Sequence, residues 1–182
     1  MLSDVGFMAA LQQAGVLKAI ISSWCLSNYR DSFYLCHLVR RWCSATHTFF
    51  LYCGEITGTL EDVANQLLLP ILGDMDLSDI ELSAKEKAEL RKGMSGNVRL
   101  SHWFGAFSKA SDAILHVAFI VFWFCKFIFG SYPHYAMKPL YFRLATKIFA
   151  GMSLSLALCF WVIYMCSWIF CKVMRGGQFP AT

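Results

Sequence analysis

The chain has 182 residues, enough for one ordinary domain with a sizeable core. Hydrophobic residues make up 57% and aromatic residues 16%, while charged residues reach 15%, against about 25% in an average soluble domain. The net charge of +4 is spread without a basic run, which excludes the patch that nonspecific nucleic-acid binding needs and leaves a membrane protein, a deeply buried domain or a piece of a larger one.

In chain order, Ser3 and Asp4 can cap a first short helix, which Gly15 closes because glycine tolerates the left-handed conformation past a helix end. A second helical stretch covers residues 16–24. Asn28 and Asp31 then open "DSFYLCHLVRRWC", whose residues Phe33, Leu35, Leu38, Val39 and Trp42 make a broad apolar face, with Arg40 and Arg41 suiting the helix dipole near its end. "TFFLYCGEITGT" reads as a hairpin around Cys53 and Gly54, ended by Gly58. Thr59 caps the next helix, with Glu61 and Asp62 in its first turn and Leu60, Val63, Ala64, Leu67 and Leu68 at helical spacing, and Pro70 stops it.

An acidic loop follows over residues 74–80, and "SAKEKAELRKG" opens on a capping box between Ser83 and Glu86. "NVRLSHWFGAF" brings Trp103, Phe104 and Phe107 together. A long helix runs from Ser111 to Gly130, Pro133 and Pro139 bracket a connector, and the last long helix starts near Leu140, bends or breaks at Gly151 and ends by Gly176 and Gly177. The predicted fold class is mainly α, a helical domain with one short β-hairpin near residues 47–57.

Residues 148–171, from Ile148 to Cys171, carry no charge. As one helix they would be about 36 Å long, enough to cross a hydrocarbon core of about 30 Å. On hydropathy alone they predict a membrane span. The competing expectation is an all-α core in which such helices pack on one another. An uncovered final helix over residues 153–173, apolar around its circumference, would leave a large patch exposed, with Trp161 and Trp168 facing outward.

No signal peptide is visible at the N-terminus. Cys25, Cys125, Cys159 and Cys166 sit in apolar runs and read as reduced thiols of a cytosolic or nuclear protein. Cys36, Cys43, His47 and Cys53 are the one cluster of soft metal ligands, but they lack the close cysteine pair that gives structural zinc sites their chelate. Cys53 beside Glu55 has no oriented histidine base. His102 and His116 read as core histidines, and Lys109, Lys126 and Lys138 lack a Schiff-base motif. The expectation is no catalytic residue, no cofactor and no metal.

Residues 38–74, "LVRRWCSATHTFFLYCGEITGTLEDVANQLLLPILGD", closely resemble the signature of the plant mobile domain family. The matching positions are Arg41 and Trp42 at a helix end, Thr46, Thr48 and Phe49 in a strand, and Gly54 and Glu55 in a turn. They continue with Thr59, Leu60, Asp62 and Val63 in a helix start, and Pro70 and Gly73 in its exit. "AFIVFWFCKFIFGSYPHYAMKPLYFRLATKIFAGMSLSLAL", residues 118–158, is similar to the family's Phe-Trp-Leu helix and Lys-Pro-Leu connector. The resemblance implies a helical nuclear protein that acts through protein contacts in meristem maintenance and transposon silencing, with a phosphatase-like protein as one partner. The label "aminotransferase-like" attaches to the family without catalytic residues, and no pyridoxal-phosphate lysine is seen here. The likeness fades where "CFWVIYMCSWIFCKV" is nearly all apolar. The expected layout is therefore a truncated copy, with a partial domain over residues 1–160 and a diverged apolar helix and tail over 161–182. The alternative is a small membrane protein anchored through residues 148–171.

Overall fold

The computed structural model describes residues 4–25, 32–74, 111–129 and 139–175. The expected acidic loop, the "SAKEKAELRKG" helix, the Trp103 cluster, the proline-bracketed connector and the closing glycines lie outside the described residues, as do Ser3, Asn28 and Asp31.

Helix α1, Val5–Gln13, begins where Asp4 Oδ1 accepts the Gly6 and Phe7 N–H groups at 2.9 and 3.2 Å, the orphan donors that a cap satisfies. It ends at a left-handed Gly15, φ +76°, where the Gly15 and Val16 N–H groups donate back to the Gln12 and Leu11 carbonyls at 3.0 Å each. Helix α2, Leu17–Cys25, follows at once, and Phe7, Leu11, Ala19 and Ile20 from the pair enter the core.

Helix α3, Ser32–Arg41, stops one residue before Trp42. The expectation that Trp42 lies on this helix is corrected. Trp42 and Cys43 form strand β1, antiparallel to β2, Thr48–Leu51, which also pairs with β3, Gly54–Ile56. The hairpin is thus the larger part of a three-stranded sheet in the order β1-β2-β3. Phe33, expected on the apolar face of α3, is exposed. Helix α4, Leu60–Leu67, ends at a left-handed Leu68, φ 54°, before Pro70 is reached.

Helix α5, Asp112–Trp123, runs into a π turn over Phe124–Ile128, closed by the Phe129 N–H on the Phe124 carbonyl. Every residue from His116 to Cys125 is buried. A helix apolar on all faces occupies the centre of a packed core, here covered by α1, α2 and helix α6, Pro139–Phe149. The Trp123 indole N–H donates to Ser23 Oγ at 3.0 Å, joining α5 to α2. His116 stacks on Phe7, ring centres 4.1 Å apart, with Nε2 3.8 Å from Asp4 Oδ2, so the expected core histidine lies beneath the α1 cap.

The last described helix, α7, spans Leu156–Arg175. Residues 148–171 are not one helix. Helix α6 closes on a left-handed Gly151, φ +79°, where the Gly151 and Met152 N–H groups return to the Ile148 and Lys147 carbonyls at 2.9 and 3.0 Å. The chain then runs without helix through Leu154, which bridges to Asp74. Among the described residues no single helix is long and apolar enough to cross a membrane. The pair α1 and α2 reaches that length only across a bend of 105°. Nor is α7 uncovered on every side, because Leu156, Ala157 and Met165 are buried while Val162 and Ile163 are exposed.

Candidate functional site

The family-motif residues from Arg41 to Gly73 run from the last turn of α3 to the segment after α4, and each is placed by local chemistry. Arg41 is exposed in the last turn of α3. Trp42 and Phe49 face each other across β1 and β2, ring centres 4.8 Å apart, and are 1% and 6% exposed. They close a small apolar cluster with Met165, edged by Leu38, Leu51, Trp161 and Tyr164. The aromatic pair therefore packs on α7.

The turn between β1 and β2 ends at His47, whose φ of 55° is unusual for a residue other than glycine. Its carbonyl accepts the Thr57 hydroxyl at 2.8 Å, and its ring stacks near Trp42 at 6.2 Å. On the opposite face of the sheet Thr48 Oγ1 donates to Glu55 Oε2 at 3.0 Å, and Thr46 Oγ1 lies 2.7 Å from Thr48 Oγ1. Because Thr48 spends its single proton on the carboxylate, it accepts from Thr46. Gly54, φ +126°, makes the tight return that starts β3. Phe50, Tyr52 and Ile56 are exposed along this hairpin, Tyr52 wholly so at its tip.

Thr59 and Asp62 form a reciprocal cap on α4. Thr59 Oγ1 accepts the Asp62 N–H at 3.1 Å, and Asp62 Oδ2 accepts the Thr59 N–H at 2.9 Å and its hydroxyl at 2.7 Å. The Thr59 backbone bond first, and its hydroxyl second, hold the Asp62 carboxyl below the ordinary aspartate value of 3.8. Leu60 and Val63 are half-buried against the main core.

The exit from α4 is sewn to the joint between α6 and α7. The Ala157 N–H donates to the Pro70 carbonyl at 3.1 Å, the Asp74 N–H to the Ser153 carbonyl at 2.9 Å, and Ser155 Oγ to the Gly73 carbonyl at 2.9 Å. Gly73 lies so close to Leu154 that a side chain has no room. Lys147 Nζ reaches Asp74 Oδ2 at 2.6 Å, with the lysine 3% exposed and the carboxylate 36%. The Trp161 indole N–H donates to the Gly58 carbonyl at 2.9 Å. Asp74, Lys147, Ser153, Ser155 and Trp161 are the members of this network that sequence reasoning missed. Trp161, expected to face outward, is half-buried and bonded, and the side chain of Trp168 lies outside the described residues.

Chemically the unit binds itself together. Cys36, Cys43, His47 and Cys53 are not assembled into a metal site, since no three His, Cys, Asp or Glu side chains converge among the described residues. Burial pushes the Cys125 thiol up to about 12, which keeps it protonated at neutral pH, and raises Cys159 as well. A hollow of about 40 Å³ lined by Ala19, Ser22, Ser23, Gln66, Leu67, Phe127 and Ile128 has room for water.

The family model described as the plant mobile domain matches residues 15–164, most of the chain. No curated protein and no solved structure matches it.

Proposed function

The chain belongs to the plant mobile domain family, and on that premise we propose that it is a non-enzymatic interaction module. It acts as a helical scaffold in the nucleus, and its protein contacts serve meristem maintenance and transposon silencing. A phosphatase-like protein is the partner class that the family resemblance implies.

One observation carries this reading. The family-motif residues are engaged in architecture: Trp42 and Phe49 in a small core, Thr59 and Asp62 in a cap, and Gly73 in a seam between distant segments. Glu55 is held by Thr48, a strand residue across the hairpin. Around this fixed frame Phe50, Tyr52 and Ile56 are presented on a hairpin of defined register, and exposed aromatic and aliphatic side chains on a rigid support suit protein contact.

The test is made in plant cells with the tagged full chain. Nuclear accumulation together with retention of a phosphatase-like protein, reduced by Tyr52→Ala combined with Phe50→Ala, is the expected result. Exclusion from the nucleus would overturn the localisation. Reproducible turnover by the purified protein, lost on Glu55→Ala or Cys53→Ala, would overturn the non-enzymatic role.

A further inference from the structure

The central helix changes its winding where it meets α2. Residues Phe124–Ile128 form a π turn, and such turns recur at functional sites because the inserted residue re-aims the side chains around it. Here the turn brings Lys126 out to the surface directly after the buried run from His116 to Cys125. The Lys126 ammonium lies among three rings, 4.8 Å from the centre of Trp24, 4.9 Å from Phe127 and 5.6 Å from Phe122. All three distances fall within the roughly 6 Å over which a ring face attracts a cation.

The rings also hold one another. Trp24 lies within 10° of parallel to Phe122 at 6.1 Å and to Phe119 at 6.5 Å, and it meets Phe127 edge to face at 5.4 Å. The arrangement is anchored in the core through Phe119 and Phe122, which are buried, while Trp24 itself is 46% exposed. The rings thus form a supported cage that opens to solvent.

We propose that this cage is a binding site for methylated ammonium groups, occupied in the free protein by Lys126. A primary ammonium has three N–H donors and a tightly held water shell, and ring faces satisfy neither well. A trimethylammonium group has no N–H to leave unsatisfied and presents a larger apolar surface, so the same rings suit it better than their resident. Trp24 supplies the strongest ring for this purpose. Lys126 then acts as a plug, lowering the apparent affinity by the fraction of time for which it fills the cage. The cage is built from α2, α5 and the π turn and shares no residue with the hairpin, so its occupancy is independent of the contact surface proposed above.

The full chain is followed by NMR at the Trp24 indole N–H as tetramethylammonium chloride is added, against matched sodium chloride. A trimethyllysine peptide and its unmodified counterpart are titrated in the same way. A saturable shift is expected with tetramethylammonium, tighter by about tenfold in Lys126→Ala, where the plug is gone. Phe127→Leu keeps apolar volume but removes a ring face, and should weaken binding about two- to fivefold. Tighter binding of the trimethyllysine peptide than of tetramethylammonium assigns the cage to a modified polypeptide, and equal binding assigns it to a small quaternary amine. The absence of a saturable shift in Lys126→Ala, with a dispersed amide spectrum retained, overturns the proposal. Equal binding of the methylated and unmodified peptides does the same. If Lys126→Ala does not fold, Lys126→Met is judged by the same criteria.

Discussion

A Cβ atom on Gly73 would stand 2.5 Å from the carbonyl carbon of Leu154 and 2.7 Å from its Cα. The obstacle is backbone, held by the Asp74 N–H bond to Ser153 and the Ser155 hydroxyl bond to Gly73, so no side chain can swing aside. Gly73→Ala should therefore destabilise the chain by about 1–3 kcal/mol, the usual cost of overpacking. Gly58→Ala is the control, because a Cβ there meets nothing within 4 Å, and it should stay within about 0.5 kcal/mol of the parent. Denaturant midpoints of the two variants make the comparison. Equal midpoints would show that the seam can open without loss.

Trp42 and Phe49 rest on α7 through Met165, with Trp161 and Tyr164 at the margin. Truncating either aromatic to Ala should cost about 3–5 kcal/mol, since both are buried. The partner is tested by a double-mutant cycle of Phe49→Leu with Met165→Ala, where contact predicts a coupling of about 0.5–3 kcal/mol. The same cycle with Val63→Ala on α4 should give additivity, because Val63 packs on the other cluster. Strong coupling to Val63 and none to Met165 would reverse the assignment.

How far these features were legible follows from the distance over which each is encoded. The α4 cap was readable because Thr59 and Asp62 are three residues apart and their geometry is fixed once the helix begins. Gly151 was readable as a bend or a break for the same local reason, and its left-handed backbone, open chiefly to glycine, makes it a break. Helical spacing alone keeps Trp42 on α3. What removes it is pairing with Phe49, and behind that a contact with Met165 far along the chain. The same gap hid the seam. Pro70 and Gly73 were visible as motif positions, but nothing near them in sequence reveals that Ser153, Ser155 and Ala157 supply their hydrogen-bond partners. The apolar run over residues 148–171 misled because hydropathy averages over a joint at which Gly151 redirects the backbone.

The Lys147–Asp74 pair sets a buried ammonium against a carboxylate about one third exposed, at 2.6 Å. Removing the acid leaves a cation inside with one charge-assisted bond lost, whereas replacing the lysine with an apolar residue removes the burden along with the bond. Asp74→Asn should thus cost about 1.5–3 kcal/mol, less than for a fully buried pair because water reaches the carboxylate. Lys147→Met should cost less than Asp74→Asn. Thermal melts of the two single variants at neutral pH decide it, and the reverse order would mean that the pair contributes chiefly through the lysine's other contacts.

Asp62 offers a pH-dependent readout of the cap. Its carboxylate accepts two bonds from Thr59, and its folded pKa lies below the ordinary value of 3.8. The folded state therefore holds this proton less tightly than the unfolded state. The stabilisation is complete above the unfolded pKa and is lost as pH falls through the folded one, a window that begins below about pH 4. Other carboxylates titrate in the same region, so the informative quantity is the difference between the parent and Asp62→Asn. That difference should be constant from pH 7 to 5 and shrink towards pH 2, as urea midpoints at each pH would show. Thr59→Ala should cost about 1 kcal/mol at pH 7. It should also reduce the extra acid sensitivity without abolishing it, because the hydroxyl bond is lost while the Thr59 backbone N–H bond, the larger cause of the lowered Asp62 pKa, is retained. A gap between parent and Asp62→Asn that stays constant down to pH 2 would rule out the carboxylate as the source of the cap's strength.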